Sequence, residues 1–149
     1  MSPLRPRRAG AAAALAVAAL TLSACAEVES PTAEGYQPSK LEDVKGQEDV
    51  KLVRFTAEGA KRTGLQTEAV DRRDGRQVVP YAALLYDAEG HTFVYTSPRP
   101  LTFLRRAVTV DEIDSGRVYL SKGPRSGTEV VTVGAAEVYG TELEIGSSH

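Results

Sequence analysis

HTFVYTS, residues 91–97, is the stretch that decides the fold class of this chain. Its residues alternate with a period of two, so Phe93 and Tyr95 share one face of a strand, while Val94 and the threonines beside it share the other. Aromatic and β-branched residues are the types that suit a pleated, half-buried surface. Turn sequences, DAEG before the stretch and SPRP after it, mark both of its ends. The pattern predicts a β-strand.

Short segments of the same kind recur from Lys51 onward, separated by turns rich in Gly, Pro and Asp. One segment differs: Thr56 precedes AEGAKRTG, residues 57–64, which has an acid in its first turn, bases in its last turn and a terminal Gly64, and so predicts a helix. Regularly spaced short strands with one brief helix predict a mainly β fold, a small antiparallel β-roll or barrel. The remaining predicted strands are VKLVRF (50–55), LQTEAV (65–70), QVVP (77–80), AALLYD (82–87), FLRRAVTV (103–110), GRVYLS (116–121) and TEVVTVGA (128–135). The predicted separators are DRRDGR (71–76), DEIDSG (111–116) and KGPRSG (122–127).

Residues 1–24 have the layout of a secretory signal peptide: three arginines, then an apolar run of about a dozen residues, too short to cross a bilayer. The run ends in LSAC, residues 22–25, which resembles the lipobox of bacterial lipoproteins. In that motif the thiol gains a diacylglyceryl group and the chain is cleaved before the cysteine, here between Ala24 and Cys25. The alternative is a free thiol that follows an ordinary signal peptide, and a twin-arginine signal is weaker still. We therefore expect a lipid anchor on Cys25.

The negative charge of the chain lies just behind this cysteine. Residues 26–50 contain seven acids and two lysines, whereas residues 51–149 contain thirteen residues of each sign. The acidic segment has few large apolar groups, so residues 25–50 are expected to form a disordered tether, about 25–30 Å across as a random coil. Residues 51–149 have the length of one small folded domain.

Several function classes are disfavoured by this composition. A neutral domain without a basic stripe argues against nucleic acid. Cys25 is the only cysteine, so no intramolecular disulfide and no thiolate metal cluster can form. His91 and His149 have no metal-ligand spacing, and His91 is expected to be a turn residue. No metal and no cofactor beyond the covalent lipid is expected.

Catalytic constellations are also missing from the sequence. There is no serine elbow, no S-x-x-K element and no phosphate-binding loop. The carboxylate pairs, Asp111 with Glu112 and Asp71 with Asp74, are expected in solvated polar turns. We therefore expect a protein that is not an enzyme.

Three arginines are the candidate contacts for a partner: Arg99, Arg105 and Arg106. In an alternating strand Arg105 and Arg106 point to opposite faces, so one is expected to lie against packed apolar groups with an ion-pair partner and the other to be available for contact. The alternative is a solvated strand edge that its charges protect from aggregation.

The order of these segments resembles the membrane-proximal domain of periplasmic adaptor subunits, or membrane fusion proteins, of RND-type efflux transporters. The family pattern is Val-Pro, an Ala-containing apolar stretch, an aromatic/Val strand, an Arg-x-Val strand, then a Gly-x-x-x-Gly loop before Val-Val and Gly. The matching residues are Val79-Pro80, Ala83, Phe93 to Tyr95, Arg106 to Val108, Gly123 to Gly127, Val130-Val131 and Gly134. Residues 53–70 resemble the segment that opens the same domain, so the likeness spans about 95 residues.

The chain also departs from that family. Adaptors insert a β-barrel, a lipoyl-like domain and a helical hairpin where this chain has only DRRDGRQ, residues 71–77, and no heptad pattern occurs. Asp111 replaces a common glycine and Pro124 a common leucine. The resemblance therefore implies docking on a transporter without the conduit that a full adaptor forms.

The sequence thus predicts a lipid-anchored, non-catalytic accessory protein on the extracytoplasmic face of the cell membrane. Its expected partners are membrane lipid, through the anchor, and a permease of the RND or ATP-binding-cassette type. The alternatives are a standalone cell-envelope lipoprotein that binds a solute, wall polymer or metal, and a marginally folded relict of an adaptor.

Overall fold

The computed structural model describes residues 37–145, which form two antiparallel β-sheets and two α-helices. The strands are β1 (Ser39–Val44), β2 (Gln47–Phe55), β3 (Gln66–Ala69), β4 (Asp71–Arg73), β5 (Arg76–Pro80), β6 (Leu85–Tyr86), β7 (Thr92–Arg99), β8 (Thr102–Ala107), β9 (Thr109–Asp114), β10 (Arg117–Lys122) and β11 (Glu129–Val133). The helices are α1 (Ala57–Thr63) and α2 (Ala135–Glu142), and a 3-10 turn covers Tyr81–Ala83. The predicted fold class, mainly β and antiparallel, is confirmed. None of the helices between residues 37 and 145 is both long and apolar enough to cross a membrane.

The larger sheet has the strand order β1-β2-β8-β7-β11-β3, and β6 also pairs with β7. The smaller sheet has the order β4-β5-β10-β9. Every strand pairing between residues 37 and 145 is antiparallel, so paired strands that follow one another in sequence, such as β7 and β8, are joined by short turns.

Strand β7 lies at the centre of the core because both of its faces are covered. Phe93 and Tyr95 belong to a cluster that includes Ala60 of α1 and Val138 of α2, so the helices cover this face of the larger sheet. Val94 belongs to a second cluster that includes Val79 of β5 and two residues of β10, Val118 and Leu120, so the smaller sheet covers the other face. The alternation in HTFVYTS therefore separates two cores rather than a core from solvent.

The predicted helix α1 has the predicted caps. The Thr56 side chain accepts a hydrogen bond from the Gly59 N–H at 3.0 Å, and Gly64 ends the helix in the left-handed region with φ 68°. The glycine inside the helix, Gly59, lies against the carbonyl oxygen of Pro38, which leaves no room for a Cβ atom. The backbone before β1 thus packs directly on α1.

The predicted tether over residues 25–50 is wrong in its last part, since residues 39–50 form β1 and the first part of β2. The amino-acid composition of this segment resembles that of a disordered linker because β1 is an edge strand. Only Leu41 of β1 packs against the core, while its charged side chains face solvent. The other residues of that segment, 25–36, lie outside the described residues.

Two further predictions of local structure are corrected. DEIDSG is not a separator, because β9 continues to Asp114 and only Ser115 and Gly116 form the turn. DRRDGR contains the three-residue strand β4, and the turn is limited to Asp74 and Gly75.

The second helix, α2, was not predicted. Helix α2 follows Gly134, whose φ is 81°. The Leu65 side chain occupies the space in which a Cβ atom of residue 134 would lie. The buried residues of α2 are Ala135, Val138 and Glu142. One buried position out of three is a carboxylate, which obscures the apolar stripe that would reveal an amphipathic helix.

Candidate functional site

Strand β8 presents its two adjacent arginines to opposite faces of the larger sheet, as the alternation predicts. Arg105 is opposite Tyr95 in the register with β7, and Arg106 is opposite Val94. Because Tyr95 and Val94 belong to different cores, the two guanidinium groups leave the sheet in different directions.

The Arg105 side chain is only 18% exposed and lies against the aromatic part of the core. Its guanidinium is 5.6 Å from the ring centre of Phe93 and 5.9 Å from that of Tyr139. It forms an ion pair of 3.3 Å with Glu142 and donates a hydrogen bond to the Asp49 carbonyl oxygen. Arg105 therefore has internal partners for its charge.

The Glu142 carboxylate is the centre of this buried network. Its side chain is 2% exposed, and it accepts hydrogen bonds from the Lys51 N–H at 3.0 Å and from the Tyr95 hydroxyl. Burial, followed by the hydrogen bond to Glu142, raises the pKa of the Tyr95 phenol. The network fastens the last turn of α2 to β2, β7 and β8.

On the opposite face, Arg106 borders a surface depression of about 450 Å³ together with Lys122 and Arg125. The other lining residues are Thr96, Pro98, Ala107, Gly123, Pro124 and Thr128. We refer to this cavity as the basic depression, since no acid of the described part of the chain lines it. Within residues 37–145 none of its three cations has an ion-pair partner.

The loop between β10 and β11 closes one side of the basic depression. A Cβ atom on Gly123 would approach the Leu120 side chain to 2.6 Å, so glycine allows the loop to lie close over the core. The Thr128 N–H donates to the Arg125 carbonyl oxygen at 3.1 Å, which forms the turn that presents Arg125. The Gly-x-x-x-Gly motif and the Arg-x-Val motif of the sequence thus meet at one cavity.

Arg99 lies at the far end of the β7–β8 hairpin, on an exposed tip. The tip residue Leu101 accepts a hydrogen bond from the Phe55 N–H at 2.9 Å, and Pro38 accepts one from the adjacent Thr56 N–H at 2.9 Å. The hairpin tip and the start of the described chain therefore lie at the same end of the domain. The three candidate arginines are not brought together: Arg99 is at this tip, Arg105 is inside, and Arg106 is in the basic depression.

The carboxylates that were expected in a polar turn instead belong to β9. The register between β9 and β10 shifts at this point, and Asp111 and Glu112 both reach the Arg76 Nη1, at 2.8 Å and 2.9 Å. The Arg76 guanidinium also lies 4.3 Å from the ring centre of Tyr119. These acids are used as ion-pair partners on the outer face of the smaller sheet.

His91 lies in the turn segment that directly precedes β7, as expected, and is near two acids. One oxygen of each carboxylate, from Asp87 and Glu89, and one ring nitrogen of His91 lie within 4.8 Å of one another. Asp87 already accepts from the His91 N–H at 2.7 Å and the Glu89 N–H at 3.1 Å, and its second oxygen is 2.9 Å from His91 Nδ1. Burial raises the pKa of Asp87, but these hydrogen bonds outweigh it and the net pKa is lowered. The cluster is explained as a turn that Asp87 stabilises.

The predicted lipidation and cleavage residues, Cys25 and Ala24, and the terminal His149 lie outside the described residues. No signal in the sequence linked Lys122 and Arg125 to Arg106, because their approach depends on how β10 and its loop lie against the larger sheet. Comparison with known proteins adds no relative: no protein-family model, no curated protein and no solved structure matches this chain.

Proposed function

We propose that this protein is a lipid-anchored, non-catalytic accessory protein on the extracytoplasmic face of the cell membrane, where it docks on the permease of an efflux transporter. The partner is a permease of the RND or ATP-binding-cassette type. The proposal is supported by the signal peptide pattern with Cys25 and by the order of adaptor-like segments, which map onto consecutive elements of one β domain.

The observation that carries the docking role is the position of the hairpin tip. Arg99 and Pro100 are exposed there, and Arg99 has no ion-pair partner among residues 37–145. The chain enters the domain at the same end, through Pro38. An unpaired cation on a projecting hairpin, next to the segment that leads to the anchor, is suitably placed to meet a membrane-embedded partner.

The length of the connection supports this arrangement. Thirteen residue steps separate Cys25 from Pro38, so the intervening chain reaches at most about 47 Å when fully extended. A lipid on Cys25 would thereby keep the hairpin tip in a thin layer next to the bilayer. Confinement of this kind raises the effective concentration, so that a weak docking face is occupied.

The docking role is tested by cross-linking in the host cell. A photoreactive residue in place of Pro100 is expected to capture a polytopic permease, and Arg99→Glu in the same protein is expected to lower the yield several-fold. Arg72→Glu is the matched control, since Arg72 is also exposed and has no ion-pair partner within residues 37–145, but lies in β4 of the smaller sheet. Failure to capture any permease, or equal loss with both variants, contradicts the proposal.

The anchor is tested separately by Cys25→Ser. We expect the variant to leave the membrane fraction and to lack the mass of the diacylglyceryl group. Two acyl chains on one residue give stable attachment, so their loss has a large effect on partition. A variant that stays in the membrane pellet at unchanged mass would refute the anchor and, with it, the argument from chain length.

The second candidate, from another class, is a standalone cell-envelope lipoprotein that binds a solute or wall component. It is favoured by a second depression, of about 500 Å³, which lies where β7 and β8 meet the start of β2. Its polar lining includes two acids and two arginines: Gln47, Asp49, Asp87, His91, Arg105 and Arg106. A permease gene next to the gene for this chain favours docking, whereas its absence favours the standalone lipoprotein.

A further inference from the structure

We infer that the basic depression is an anion-binding site that takes a phosphate group, either as inorganic phosphate or as the headgroup of an anionic phospholipid. This site is distinct from the hairpin tip, and the inference for free phosphate does not depend on a transporter partner. It rests on the charges, the shape and the unused hydrogen-bond donors of the cavity.

Three cations and no acid of residues 37–145 line the basic depression. Arg106 comes from β8, Lys122 from the end of β10 and Arg125 from the following loop, so the cluster is a product of the tertiary fold. Acids are plentiful in the domain, with thirteen of each charge sign in residues 51–149. Mutual repulsion among three unpaired cations is relieved when an anion binds between them.

Other arginines of the domain have carboxylate partners within the protein, as expected for arginines with a solely structural role. Arg54 lies 3.1 Å from Glu42, Arg73 lies 3.0 Å from Asp71, and Arg76 has two carboxylates within 2.9 Å. The guanidinium groups of those arginines are paired with carboxylates of the same chain. The forks of Arg106 and Arg125 remain available within residues 37–145, and a guanidinium fork matches the paired oxygens of a phosphate group.

The walls of the basic depression are suited to hold a small anion in place. Thr96 and Ala107 lie on neighbouring strands of the larger sheet, and Pro124 restricts the loop on the other side. The Thr128 hydroxyl has no hydrogen-bond partner among the described residues, which leaves a neutral donor beside the cations. A volume of about 450 Å³ admits a phosphate group with bound water or a glycerol substituent.

The first arm of the test uses inorganic phosphate and the full-length chain carrying Cys25→Ser, which bears no lipid. At constant ionic strength, phosphate is expected to shift the amide resonances of Arg106, Lys122, Gly123 and residues 125–128 in a saturable manner. The variant Arg106→Gln/Lys122→Gln/Arg125→Gln is expected to raise the apparent Kd at least about tenfold, since charge-assisted hydrogen bonds are lost.

The matched control is Lys40→Gln/Lys45→Gln/Arg72→Gln. It removes the same charge, and its residues are exposed cations without an ion-pair partner in the described part of the chain, away from the basic depression. It is expected to bind phosphate as the parent does. If the triple variant fails to fold, the single variant Arg125→Gln, on an exposed loop, is used instead and is expected to raise the apparent Kd for phosphate.

The second arm uses vesicles of phosphatidylcholine with and without phosphatidylglycerol. If the headgroup is the source, the parent and the control protein sediment with phosphatidylglycerol vesicles, and the depression variant loses about fivefold in partition for each residue removed. The apolar leader is common to all proteins compared, so the differences report the cavity. Phosphate binding without a vesicle difference between the depression variant and the control identifies the free ion as the source. A vesicle difference between these two proteins without phosphate binding identifies the headgroup. Neither response, or an equal loss in the control, overturns the inference.

Discussion

At residue 105 a guanidinium lies against aromatic rings and a buried carboxylate, and one residue later, at Arg106, a guanidinium lines an open cavity. The difference follows from the period of a β-strand, which sends neighbouring side chains to opposite faces. Arg105 contributes to stability because Glu142 neutralises it in a poorly solvated place. Arg106 has no such partner within residues 37–145 and is free to bind.

Glu142→Gln is expected to lower the free energy of unfolding by about 2–3 kcal/mol, because the amide keeps the shape but leaves the Arg105 charge without its carboxylate. Chemical denaturation of both proteins measures the difference. Glu137→Gln, at an exposed position of the same helix, is the control and should change stability by less than about 0.5 kcal/mol. Equal effects of the two substitutions would show that the network contributes nothing.

Tyr95 is expected to make the free energy of unfolding decrease as the pH rises in the alkaline range. Its pKa is raised above the ordinary value of about 10, first by burial and then by Glu142, so the folded state holds the phenol proton more tightly than the unfolded state does. This contribution is fully present below pH of about 10 and is lost as the pH rises further, with a slope of up to about 1.4 kcal/mol per pH unit. Denaturation of Tyr95→Phe at several alkaline pH values should give a flatter curve than the parent. Parallel curves would contradict the assignment, since the other titrating groups are common to both proteins.

At the scale of elements, the contact between α1 and the chain before β1 decides where the domain begins. Gly59 is buried in α1, and the carbonyl of Pro38 occupies the space in which a Cβ atom would lie. A glycine inside a helix is unfavourable by about 1 kcal/mol relative to alanine, so helix propensity alone favours its replacement.

Gly59→Ala therefore distinguishes local propensity from tertiary packing. We expect the substitution to destabilise the protein and to speed amide exchange in β1, because the new methyl group displaces Pro38. Amide hydrogen exchange over residues 39–44, measured by mass spectrometry, tests this effect on β1. The control is Lys61→Ala, on the exposed side of the same helix. A gain in stability with unchanged exchange would mean that the chain before β1 does not pack on α1.

At the scale of the whole molecule, the folded domain begins earlier than the charge pattern indicates. Strand β1 completes the edge of the larger sheet, and Leu41 covers part of the core that the helices share. Residues 51–149, the predicted domain, lack this strand and the first part of β2.

A protein of residues 51–149 is accordingly expected to melt at a temperature at least about 8 °C below that of residues 37–149, since it loses the burial of Leu41 and the β1–β2 hydrogen bonds. Calorimetry of the two proteins measures the difference. Equal melting temperatures would support the original prediction that the segment before residue 51 is a disordered tether. A sharp transition of the longer protein would also argue against a marginally folded relict.

Features that depend on neighbours along the chain could be predicted from the sequence alone. Thr56 and Gly64 mark the ends of α1 because capping is a local hydrogen-bonding problem. The alternation in residues 91–97 marks most of β7 because side-chain direction depends only on strand geometry, although the strand continues to Arg99, past the point where SPRP was predicted to end it. The opposite orientation of Arg105 and Arg106 was predictable for the same reason.

Contacts between distant residues could not be predicted in this way, because they depend on the folded arrangement of the strands and helices. Strand β1 reads as a polar linker until its backbone pairs with β2, since an edge strand buries little and its charges resemble those of a disordered segment. Glu142 becomes a structural residue only because α2 returns to β8, and Arg106 becomes part of a basic depression only because the β10–β11 loop brings Lys122 and Arg125 beside it. These encounters are set by sheet order and packing between layers, which no spacing along the chain encodes.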